Sequence, residues 1–202
     1  MPRNATSKST SKSSKSAQHA ASKSASLDAI KLLIADHRMV TELFDEFEKM
    51  KDKGDEDEEA KQLLVETACA ALTIHAQIEE EIFYPAARDA IDDMDLLDEA
   101  EVEHASAKQL ISELSAMQPG DDLYDAKFTV LGEYVKHHIE EEEKELFAKV
   151  KKSDLDLDDL GDELMQRKLA LHEELGIPLE GEEIEEEEAA TRGKSASRKN
   201  VH

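Results

Sequence analysis

From residue 27 to residue 151, apolar side chains recur every three or four positions in four successive long runs. That is the period of an amphipathic helix; a strand would alternate every second residue. The first run spans about 27–52, with Ile30, Leu33, His37, Val40, Phe44 and Phe47 on one stripe. The second spans about 57–90, with Leu64, Ala68, Leu72, His75, Glu79, Ile82 and Ala86. The third spans about 96–117, with Leu97, Ala100, His104, Ala107, Ile111 and Leu114, and the fourth about 122–151, with Phe128, Leu131, Val135, His138, Glu142, Leu146 and Val150. Helix-breaking residues are scarce, 7 glycines and 4 prolines, and several fall between the runs, at Gly54 and at Pro119-Gly120. Short links between long helices give an antiparallel up-down-up-down four-helix bundle, so the fold class is all-α. Ser26 is placed to cap the first helix, and Pro85 is expected to bend or break the end of the second. A fifth helix over about 154–175, opened by Ser153 or Asp154 and stopped by Gly176 and Pro178, is expected to pack outside the bundle.

The organisation expected is therefore a bundle over 27–151 and a C-terminal helix within 152–178, flanked by two disordered tails. Residues 1–26 are a basic Ser/Lys-rich stretch that cannot bury enough apolar surface to order itself. Residues 179–202 run from a glutamate-rich segment into a basic end. The formal net charge is −24, and the nine basic charges of 1–26 and 189–202 leave −33 on the body between them. Such a body repels nucleic acid and anionic membrane. Nucleic acid is expected at most weakly, through the N-terminal tail, which has no aromatic side chain to stack on bases. The single cysteine, Cys69, excludes an intramolecular disulfide and sits in an apolar helical context. No apolar run is long enough to cross a membrane and the N-terminus lacks an apolar signal segment, so the cytoplasm is the expected location.

Each of the four stripes carries one histidine, His37, His75, His104 and His138, and two add a glutamate one turn later, Glu79 and Glu142. Residues four apart share a helix face. Glutamate is seldom buried without a partner, so four imidazoles and two carboxylates turned toward one core call for cations. The heights agree at two connections. At about 1.5 Å per residue, His37 and His75 lie about 22 and 25 Å from the first link, and His104 and His138 about 20 and 24 Å from the third. On the fourth helix the alternative face, with His137 and Glu141, would turn Lys144 inward, which favours His138 and Glu142. Mixed imidazole and carboxylate donors suit iron or manganese, with zinc as a further candidate. The zinc-protease pattern HExxH is absent, and Glu-x-x-His occurs in the third run only, at Glu101 and His104. The spaced aspartates of 154–164 lack the glycine and the final glutamate of a calcium loop and read as a helix start.

The stretches ADHRMVTELFDEFE, HAQIEEEIFYP, EHASAKQLISEL and HHIEEEEKELF, in that order, resemble the motifs of the hemerythrin-like (HHE cation-binding) domain family. The resemblance covers about 27–150. It implies two non-haem iron ions, oxo- or carboxylate-bridged, with His37, His75, His104 and His138 as imidazole ligands and Glu79 and Glu142 as bridging carboxylates. Oxygen-carrying members resemble HxxxH on the third helix, where this chain has His104 followed by Lys108. One iron is then short of an imidazole, with Glu80, Glu103 or water as candidates to complete it. The expectation is a di-iron protein that binds oxygen or a related ligand such as nitric oxide or peroxide, in sensing, storage or detoxification. The alternatives are an enzyme turning over peroxide or nitric oxide, and an iron store or sensor.

Overall fold

Acids open three of the helices and a glycine closes the last in the computed structural model, which describes residues 27–53 and 57–178. Both expected tails, and Ser26, lie outside the described residues. Helix α1 (Ala29–Lys53) opens beside Asp28, whose Oδ1 accepts the Lys31 N–H at 2.9 Å. Helix α2 (Glu58–Ile78) is capped by Asp57, which accepts the Ala60 N–H at 3.0 Å. Helices α4 (Met94–Leu114) and α5 (Tyr124–Glu141) complete the bundle with α3 (Tyr84–Ala90) and α6 (Phe147–Val150), which continue α2 and α5. Helix α7 (Leu157–Leu175) is capped by Asp156, which accepts the N–H groups of Asp158 and Asp159, and it stops at Gly176, whose φ of 64° suits glycine. The helix therefore starts about three residues later than expected, and its cap is Asp156, not Ser153 or Asp154, because only the Asp156 carboxylate reaches the first free N–H groups.

Helix two does not break at Pro85. It widens ahead of it, in a π turn over Glu79–Phe83 that hands the Glu79 carbonyl to the Tyr84 N–H. Proline has no N–H to give and its ring crowds the carbonyl one turn back, so a wider turn upstream relieves both conflicts. The wider turn also rotates the following residues. Ile82 and Ala86, expected on the stripe, are half-buried, while Phe83, Tyr84 and Ala87 are buried in their place. A second π turn, Glu142–Leu146, joins α5 to α6 and brings both Leu146 and Phe147 inward.

In the bundle α1 lies beside α2 and α5, α4 lies beside α5 and α2, and α7 packs across α1 and α2. Two glycines mark close approaches. A Cβ on Gly132 of α5 would stand 2.8 Å from the Phe44 ring, and one on Gly161 of α7 would stand 2.4 Å from the Leu27 carbonyl oxygen. Among the described residues there is no strand, and no helix is long and apolar enough to cross a membrane.

The core comes in two apolar halves. One holds Ile30, Leu33, Ile78, Phe83, Phe147 and Leu164, and the other Val40, Phe44, Phe47, Leu72, Phe128 and Val135. Along each bundle helix the two halves are separated by polar residues that are nevertheless buried: Asp36, His37, His75, Glu79, His104, His138 and Glu142. A polar slab through the middle of a core is costly unless each group finds a partner.

Candidate metal centre

Every bundle helix contributes one imidazole to this slab. The Nε2 atoms of His37 and His75 stand 3.1 Å apart, and those of His104 and His138 stand 3.2 Å apart. Glu79 lies between the pairs, its Oε2 3.2 Å from His75 Nε2 and 3.4 Å from His104 Nε2. Glu142 lies between the pairs on the opposite side, its Oε2 3.3 Å from His37 Nε2 and 3.8 Å from His138 Nε2. Donor atoms of His37, His75, Glu79 and Glu142 form one group within 4.8 Å, and those of Glu79, His104 and His138 form another. The structure thus brings together all six residues that the sequence singles out. His137 points away with 63% of its side chain exposed, against 9% for His138.

Three further carboxylates hydrogen-bond outer nitrogens, and a fourth stands near the last one, which has no hydrogen-bond partner. Glu143 Oε1 is 2.9 Å from His37 Nδ1, Glu80 Oε1 is 3.0 Å from His104 Nδ1, and Glu103 Oε2 is 2.8 Å from His138 Nδ1. Asp36 Oδ2 stands 3.5 Å from His75 Nδ1 and is itself held by Lys168 of α7. Each acid is next in sequence to an inward residue of its own helix yet serves the histidine of the next helix round. Asp36 of α1 faces His75 of α2, and Glu80, after α2, faces His104 of α4. Glu103 of α4 faces His138 of α5, and Glu143, after α5, returns to His37 of α1. The ring of contacts closes around the bundle. Glu80 and Glu103, candidates for an extra ligand on sequence grounds, turn out to orient imidazoles instead.

This outer ring decides the chemistry inside. At His37, His104 and His138 a carboxylate at Nδ1 holds the proton on that nitrogen, leaving Nε2 as a lone pair aimed at the centre. Paired Nε2 lone pairs at 3.1 and 3.2 Å repel each other unless a proton or a cation lies between them. Both carboxylate oxygens of Glu79 and of Glu142 are buried without a hydrogen-bond partner. Burial and the nearby Glu142 carboxylate push Glu79 well above the usual carboxylate range. Burial acts the same way on Glu142, but His37, His138 and His75 outweigh it and bring it down to about 2. Burial, with His138 and His75 alongside, lowers His104 to about 4. So crowded a set of acceptors can hold cations, and cations would let both carboxylates ionise together.

Three neighbours complete the surroundings. The Phe147 ring lies parallel to the His37 imidazole, with centroids 5.8 Å apart, and fixes its plane. The Tyr84 hydroxyl, fully buried, stands 3.2 Å from His104 Nε2, and burial beside Glu142 and Glu79 holds its pKa well above the usual phenol value. Sequence periodicity missed Tyr84 because only the π turn rotates it inward. Lys108, one turn after His104, points to Glu80, with Nζ 2.6 Å from Oε1, and does not enter the centre.

Residues 28–150 match the family described as the hemerythrin HHE cation binding domain. The crystal structure of a hemerythrin HHE cation binding domain-containing protein from Mycobacterium kansasii superposes with a TM-score of 0.61, covering 73% of this chain and 89% of that one. At 21% identity the likeness is one of fold. A curated protein of Nostoc sp. described as a DNA nickase is 29% identical over 116 residues, 57% of this chain. The matched segment spans 31% of that protein's length.

Proposed function

The chain belongs to the hemerythrin HHE cation-binding domain family, and on that premise we propose that it holds a pair of non-haem iron ions that bind oxygen or a related small ligand, such as nitric oxide or peroxide. His37 and His75 would hold one ion and His104 and His138 the other, with Glu79 and Glu142 shared between them. The donors fit: neighbouring ligands on an octahedral ion stand about 3.0 Å apart at bond lengths of about 2.1 Å. The nitrogen pairs at 3.1 and 3.2 Å and three of the four carboxylate contacts, at 3.2 to 3.4 Å, come close to that spacing, while Glu142 to His138 is wider at 3.8 Å. When bound, the ions supply a redox-active Lewis-acid centre. The protein supplies orientation through the outer carboxylates and a dry wall of aromatic and aliphatic side chains.

The observation that carries this reading is a small, mostly apolar cavity of about 30 Å³ against the four imidazoles, lined by Val40, Leu72, Ala107, Ile111, Val135 and other aliphatic side chains together with Glu103, Lys108 and Tyr134. Apolar walls beside a polar floor suit an uncharged molecule of two or three atoms. The half with His104 and His138 favours sensing or turnover over reversible carriage. It has Lys108 in place of a third imidazole, which leaves it more open, with the Tyr84 hydroxyl alongside. The nickase activity named for the Nostoc protein is not carried over, because a body of charge −33 repels the phosphate backbone.

Anaerobic titration of iron-loaded protein with nitric oxide tests the proposal. The expected result is a new visible absorption band that saturates, and at least tenfold weaker binding in Ala107→Leu with iron content unchanged. Iron-loaded protein whose spectrum ignores nitric oxide, oxygen and peroxide alike would contradict it.

A further inference from the structure

A second group of metal-binding side chains lies on the surface directly above the buried centre. His137 Nε2 stands 3.5 Å from Glu141 Oε1 and 4.0 Å from Glu103 Oε1, and donor atoms of the three fall within 4.8 Å of one another. Two ligands about 2.1 Å from an ion at the tetrahedral angle are about 3.4 Å apart, so these atoms stand around a space that fits a divalent cation. Both gaps from the imidazole nitrogen are long for a direct hydrogen bond.

A cleft of about 20 Å³ joins this surface group to the interior. That is room for about one water-sized sphere. Glu99, Glu103 and Glu141 line it on the outer side, and His138 and Glu142 form its floor. Glu142 is buried and neither of its oxygens has a hydrogen-bond partner. No lysine or arginine lines the cleft. Elsewhere on the described surface, acids such as Glu80, Glu81, Glu101, Glu113 and Glu140 are each paired with a lysine or arginine. Glu103 belongs to both places, with Oε2 on His138 and Oε1 toward His137.

We propose that His137, Glu141 and Glu103 form a loading site that captures a hydrated divalent cation and passes it through the acidic cleft to the His104/His138 half of the buried centre. Each carboxylate along the cleft exchanges one water of the ion for an oxygen, so the cation is never stripped without a replacement. Borderline donors of this kind take iron(II), manganese(II) or cobalt(II). The site rests on the reading of the buried centre and adds the route by which it fills.

The test follows cobalt(II) uptake by the full-length apo-protein in stopped flow, using the visible bands that appear as sites fill. In the double variant His137→Ala/Glu141→Gln, filling of the second buried site is expected to slow about tenfold, with the same final cobalt content as the parent once loosely held surface metal is removed. Glu140→Gln, beside the cleft but not lining it, is expected to fill at the parent's rate. A double variant that fills as fast as the parent would overturn the loading site and leave the buried centre standing. A double variant that retains less cobalt than the parent once loosely held surface metal is removed would also overturn it, since these residues would then be holding the buried ions. A parent that takes up no metal would overturn the buried centre and the loading site together.

Discussion

Glu79 and Glu80 are neighbours in the chain, carry the same group, and do different work. Glu79 is fully buried between two imidazole pairs, whereas Glu80 reaches the outer nitrogen of His104 and the ammonium of Lys108. The difference in role sets a difference in cost. Glu79→Gln is expected to abolish tight binding of the ion pair. Glu80→Gln and Glu143→Gln keep every inward donor but loosen one imidazole each, and should weaken metal affinity about 10- to 100-fold. Competition with a chelator of known affinity measures both effects, and equal losses at Glu79 and Glu80 would show that the inward and outward roles are misassigned. In the sequence, Glu79 is legible because it falls four residues after His75 on the apolar stripe. The outer acids are not, because each acts on a different helix and about a quarter of all residues are acidic.

At the scale of the element, helical periodicity reads α1, α4 and α5 well and fails in one place. After Glu79 the stripe expected through Ile82 and Ala86 gives way to Phe83, Tyr84 and Ala87. The cause is one extra residue in the π turn, which leaves no mark on the apolar pattern before it. Both π turns begin at the glutamate that spans the imidazole pairs, so the widening that admits Pro85 also sets Tyr84 beside His104. Helix α7 is tied to the centre as well, through Lys168, Asp36 and His75. Its seat depends on Gly161, where any Cβ would collide with the backbone of Leu27 and Ala29. Gly161→Ala gains helix propensity of at most about 1 kcal/mol. The overpacking cost of about 1–3 kcal/mol should outweigh it, so the melting temperature is expected to fall by several degrees. A variant as stable as the parent would mean that α7 shifts freely on α1.

For the whole molecule, the organising fact is a polar layer dividing one core in two. The apolar halves on either side account for folding in the ordinary way, while the Glu79 and Glu142 oxygens are buried without a hydrogen-bond partner. Stability should therefore follow metal content. An ion bound at 1,000 times its dissociation constant stabilises by about 4 kcal/mol. Chelation is expected to lower the melting temperature markedly and to loosen the centre before the apolar halves, which hydrogen exchange at His75 and His138 against Phe44 and Phe128 would register. Residues 27–188 carry a formal charge of −33, which attracts cations.

If the six inward side chains hold two metal ions, the metal content per chain after reconstitution with iron(II) and removal of the excess shows it most directly. Two ions per chain are expected in the parent and in His137→Ala, and fewer than two in His75→Ala and His138→Ala. A parent that is fully helical yet retains no metal, or an equal loss at His137 and His138, would contradict the account.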